Sequence, residues 1–89
     1  MSNIDQKQTT HLAYNTVPRY RFSIHDGDGN NRENAGWMAL ADDGEALVFG
    51  KAVIRDLLHG NAMRYTRWIM DVTQGERTVV GIPFAVVSV

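Results

Sequence analysis

The chain has 89 residues, enough for one domain with a small core. It contains no cysteine, which excludes a disulfide framework, a thiolate metal site and a cysteine nucleophile, and makes a reducing, cytoplasmic setting the default expectation. Net charge is -1, so no global field draws in nucleic acid or anionic lipid, and on that ground nucleic acid is disfavoured as a partner. No run approaches the roughly 18–20 apolar residues of a membrane span, so no membrane is expected.

Residues 1–16 are polar, without sustained periodicity or the apolar run of a signal peptide. They read as a disordered leader before a single domain over 17–89. Order is expected from Val17-Pro18, since Pro18 suits a strand start or an edge. In Arg19–His25, Tyr20, Phe22 and Ile24 share one face, and Arg19, Arg21, Ser23 and His25 share the other. That alternation predicts a half-buried strand with a solvated outer face. Asp26–Asn31 is dense in residues that tolerate positive φ and predicts a loop. Trp37–Leu40 predicts a short second strand.

A helix is expected to start at Asp42 or Asp43, where Asp42 and Glu45 have capping-box spacing. Ala46, Phe49, Gly50, Val53, Ile54 and Leu57 then form one helical face, widened by Leu47 and Leu58. Gly50 in that face costs about 1 kcal/mol relative to Ala, and predicts close approach of helix to sheet. Gly60-Asn61 is expected to end the helix in a left-handed conformation.

The last third predicts a hairpin, with strands around Arg67–Thr73 and Arg77–Phe84 joined by Gln74-Gly75-Glu76. Trp68, Met70 and Val72 face the same side as Val80, Ile82 and Phe84. Pro83 puts the last strand at an edge, or out of the ladder by that point. The expected fold is therefore a small two-layer α+β domain, an antiparallel sheet in β-β-α-β-β order packed on one helix.

Three stretches resemble a family of short bacterial proteins known as a domain of unknown function. They are Pro18–Gly27, with its Pro-Arg-Tyr-x-Phe and His-Asp-Gly pattern; Trp68–Val72; and Ile82-Pro83-Phe84-Ala85. The likeness covers about residues 17–87, including the acidic, Gly-containing loop and the helix start at Asp. Ser23 stands where the family often has His, and Val86 where it has an acidic residue. The family carries no established activity, so the resemblance implies the fold and no chemistry. Its members tend to begin at the position of Val17, which implies that the leader is dispensable.

Among candidate chemistries, Asp26, Asp28 and Asn30 have the spacing that opens an EF-hand calcium loop. The pattern then fails, with Asn31 at its sixth position and Trp37 at its twelfth, so a turn is the preferred reading and no metal or cofactor is expected. His11, His25 and His59 lack a second histidine at metal-ligand spacing. His25 beside Asp26 and Asp28 has the residue types of an oriented general base, but no motif supplies a nucleophile, and Ser23 merely shares its strand face. No phosphate-binding glycine loop precedes the helix.

Two binding candidates remain. Arg19, Arg21, Arg64 and Arg67, interleaved with Tyr65 and Trp68, predict an Arg-rich sheet face for nucleic acid or a small ligand. Phe84, Val86 and Val87 carry an apolar strand pattern toward the terminus, and predict an edge for a homodimer or protein partner. The expected function is that of a non-enzymatic interaction module, associating through that edge, with the Arg-rich face as the alternative.

Overall fold

The alternation in Arg19–His25 becomes a strand with two unlike faces, and the rest of the chain is arranged by that difference. A computed structural model describes residues 17–87, so the leader 1–16 and the last two residues lie outside the described region. Strand β1 (Arg19–His25) turns through 26–31 into β2 (Arg32–Ala39). Helix α1 (Asp43–Tyr65) follows, then β3 (Ile69–Gln74), β4 (Arg77–Pro83) and a 3-10 turn at Phe84–Val86. All pairings are antiparallel and the sheet order is β2-β1-β3-β4. This is the expected small α+β fold, with four strands on one helix.

One face of the sheet makes the core. Tyr20, Phe22 and Ile24 of β1 lie beside Met70 and Val72 of β3 and Ile82 of β4, all buried. Ala46, Gly50 and Ile54 of α1 pack down on them, as the helical periodicity requires. Phe49 meets Phe22 with ring centroids 5.1 Å apart. A Cβ built on Gly50 would lie 3.1 Å from Met70 Sδ and 3.2 Å from Ile82 Cδ1, so the missing side chain is what lets helix and sheet meet. The helix start is capped as expected: Asp42 accepts from the Glu45 amide at 2.9 Å, while Glu45 accepts from the Ala41 amide at 3.1 Å.

Three expectations are corrected. The second strand spans Arg32–Ala39 rather than Trp37–Leu40. Pairing with β1 imposes extension on the polar Arg32–Ala35 segment, overriding its weak β propensity. Ala35 is an extra residue in that ladder, and Gly36 beside it, at φ +117, donates its amide to Asn34 Oδ1.

The helix is broken at Gly60-Asn61, as expected, but not by a left-handed residue, and one more turn follows. Asn61 is extended, at φ -160 and ψ 74, and neither residue is left-handed. The side chain of Asn61 accepts from the Arg64 amide at 3.3 Å and starts one more turn, which carries Tyr65 into the core.

The chain also leaves the ladder after Pro83. The last cross-strand bond runs from the Phe84 amide to Trp68 O at 2.9 Å; the Val87 amide then donates to Phe84 O at 3.0 Å, which closes Phe84–Val86 into a 3-10 turn in place of an edge strand. Phe84 and Val87 are buried, and only Val86 of the three points outward.

The Gly50 contact is testable by substitution. Gly50→Val should lower stability by roughly 1–3 kcal/mol through overpacking against Met70 and Ile82. Gly50→Ala should lie near neutral, because about 1 kcal/mol of helix propensity offsets a contact a few tenths of an ångström too close. Urea denaturation midpoints measure both.

Candidate functional site

Among the described residues, a single α-helix covers one face of the four-stranded sheet and nothing covers the other, the bare face. The residues on the bare face follow from register. Trp37, Arg21 and Thr73 lie side by side across β2, β1 and β3, with Thr78 next in line on β4. Asn34, Ser23, Asp71 and Gly81 form the next row, and Arg32, His25, Ile69 and Pro83 the one after. Short side chains fill the middle row and long ones flank it. That difference in length sinks a polar hollow of about 700 Å³ into the face.

The two margins of the hollow differ in chemistry. On one, the guanidinium carbons of Arg19 and Arg21 lie 5.4 and 5.5 Å from the centre of the Trp37 ring. Trp37 is 52% exposed, a large aromatic left in solvent on a sheet face. Toward the other margin, Asp71 of the middle row meets His25 and Arg32. Its Oδ2 lies 3.1 Å from His25 Nε2 and 3.4 Å from Arg32 Nη1. The same Arg32 nitrogen is 3.5 Å from Ser23 Oγ.

Serine, histidine and aspartate thus meet here, yet not as a catalytic triad. His25 Nδ1 faces the Asp26 carbonyl oxygen at 2.9 Å and Nε2 faces Asp71, so neither ring nitrogen is left for Ser23.

A family model described as a domain of unknown function, DUF6894, matches residues 19–85. The chain belongs to that family. No curated protein matches it, and no solved structure does. The DUF6894 match spans all four strands and the helix, so the bare face is built from family residues throughout.

The four arginines singled out in the sequence do not form one surface. Arg19 and Arg21 are on the bare face. Arg64 lies on the helix side, paired with Glu33 and stacked over Tyr65 and Trp68 at 5.0 and 5.5 Å from their ring centres. Tyr65 and Trp68 are buried against each other and belong to the core. Arg67 borders a separate cleft beside Asp26 and Asp28.

In the loop that resembles a calcium site, Asp26 accepts from the amides of Asp28 and Asn30 and from Asn31 Nδ2, at 3.1, 2.9 and 2.8 Å. The Asn31 bond and the backbone amides hold its carboxyl below the usual carboxylate range. Its oxygens thus serve the turn, and among the described residues no group of three or more His, Asp or Glu is placed to hold a metal.

Asp71, Arg32 and Trp37 were missed as site residues from the sequence. Asp71 sits in an apolar run, and only the β1–β3 register brings it beside Ser23.

A second polar cluster was also missed. Asp43 Oδ1 accepts from the Tyr20 hydroxyl at 2.8 Å, and Arg77 donates to both Asp43 oxygens at 2.9 and 3.0 Å. Arg77, then Tyr20, lower the Asp43 carboxyl to about 2, while burial and then Asp43 push the Tyr20 phenol up. This cluster ties β1, the start of α1 and the β3–β4 hairpin together. It lies away from the bare face and reads as structural.

Because the folded-state value of Asp43 lies below its ordinary 3.8, its contribution to stability is present above that pH and is lost as pH falls from 3.8 to about 2. Asp43→Asn should remove that part of the acid dependence, leaving a flatter curve of thermal midpoint against pH in this window. An unchanged acid profile in the variant would exclude the linkage.

Proposed function

We propose that this chain is a non-enzymatic binding module whose bare sheet face docks an anionic partner. The observation that carries the reading is Trp37, half in solvent on an uncovered sheet face, with Arg19 and Arg21 over its ring. An exposed aromatic between cations is an unfavourable way to solvate a sheet and a favourable way to bind one. The hollow beside it offers hydroxyl, amide and guanidinium groups in place of an activated nucleophile. We take Pro18–Gly27 and Ile82–Ala85 as the motifs that mark the family. The cytoplasm of a bacterium is the setting we infer, in keeping with the absence of cysteine.

The test is retention on an immobilised polyanion such as heparin. The wild-type chain should be retained at low salt and released as salt rises, whereas Arg19→Glu with Arg21→Glu should pass through. Both side chains are exposed, so the double variant should keep its thermal midpoint. Equal retention of the two proteins would refute the assignment.

Self-association is the second reading. It is favoured by an apolar groove of about 630 Å³ beside the β2 end of the sheet, where Leu40, Val48, Phe49 and Ala52 meet. Val48 there is 70% exposed. Strand addition at the sheet edges has less support, since β2 and β4 each carry a bulge and β4 ends in Pro83. Light scattering should show a dimer at high concentration that Val48→Asp converts to monomer; a strict monomer at all concentrations removes this reading.

A further inference from the structure

We propose that the bare face binds single-stranded nucleic acid, with a base stacked at Trp37 and phosphates held by Arg19, Arg21 and Arg32. The inference rests on the docking face assigned above and names its partner.

The first support is the distribution of charge. A net charge of -1 argues against nucleic acid only if the charges are evenly spread. They are not. Asp42, Asp43 and Glu45 cluster at the helix start, Asp26 and Asp28 sit in the loop, and Glu33 turns to the helix side to meet Arg64. The rows that make the bare face contain one carboxylate, Asp71, and it is engaged by His25 and Arg32. Glu33 borders the hollow as well, with its carboxylate paired to Arg64, so Arg19 and Arg21 dominate the potential there while Arg32 shares its charge with Asp71.

The second support is Trp37. A purely acidic chain such as polyglutamate engages the arginines and leaves the indole without a partner. A nucleobase uses both, since every base has a π-face and stacking is tolerant of sequence. Arg19 and Arg21 lie where phosphates flanking a stacked base are neutralised.

The third support is shape. The Trp37–Arg21 row and the Arg32–His25 row are separated by four residues of β1, about 13 Å along the strand. The hollow between them offers Ser23, Asn34, Thr73 and Thr78 to sugar and base edges. A sheet face of this kind takes an unpaired strand whose bases can splay. It lacks the helix or ribbon that enters the groove of a duplex.

The experiment is fluorescence anisotropy of a labelled oligothymidylate of about eight nucleotides, against the full chain, over a range of salt. Binding at low salt should have a Kd on the order of 10⁻⁵ M, as for contacts without sequence readout. Three arginines on phosphate predict a slope of log K against log salt of roughly -2, and Arg21→Gln should reduce it by about 0.7. Trp37→Ala should weaken binding roughly tenfold, while Trp37→Phe retains most of it. Trp37 lies outside the core, so these variants should fold, and their thermal midpoints check that.

An abasic oligonucleotide and polyglutamate of matched charge separate the two levels of the argument. Loss of affinity for both, relative to the oligothymidylate, supports the proposal. Equal binding of either, or indifference to Trp37→Ala, overturns nucleic acid as the partner and leaves a docking face for acidic protein. Absence of binding to every polyanion overturns both readings.

Discussion

Gly50 decides how close the one helix comes to the sheet. With no side chain at that point, α1 rests so closely on Met70 and Ile82 that an added methyl would lie a few tenths of an ångström inside ordinary contact. The remainder of the architecture depends on that contact. It buries the inner faces of β1, β3 and β4, which supply most of the small core. It also uses up the only α-helix among the described residues, so none of those residues covers the outer face of the sheet.

An uncovered sheet face has to be made compatible with water, and the chain does so in two different ways. Over most of the surface it uses short polar side chains and a neutralised carboxylate, the cluster of His25, Arg32 and Asp71. Around Trp37 it uses two arginines laid on an indole. The first arrangement is an ordinary means of solvation. The second leaves a large apolar ring half exposed, and solubility alone gives no reason for it. The difference between these regions, more than any pocket dimension, is what the proposed binding role rests on.

The inner layer was legible in the sequence because its signals are local. Period-two alternation in Arg19–His25 and the helical spacing from Ala46 to Leu57 name the core residues without reference to their partners. Asp42 and Glu45 mark the helix start by side-chain to backbone bonds within one turn. The candidate site was legible in part. Arg19, Arg21, Ser23 and His25 share a strand and so could be placed on one face. Arg64 could not be told from them, because its location depends on an extra helical turn that Asn61 starts and Tyr65 anchors. Phe84–Val87 has the composition of a strand, and a turn forms there instead, closed by the Val87 amide on Phe84 O with Phe84 and Val87 buried in the core.

By itself the sequence determined the elements, their order, the inner face of the sheet and the close approach at Gly50, since each is written in spacing along a few residues. The tertiary structure alone decided which polar groups meet. Asp71 reaches Ser23 and His25 through the β1–β3 register, Trp37 lies beside Arg21 through the β1–β2 register, and Glu33 draws Arg64 to the opposite face. Contacts between residues far apart in the chain carry no periodic signature, so the site had to wait for the fold that assembles it.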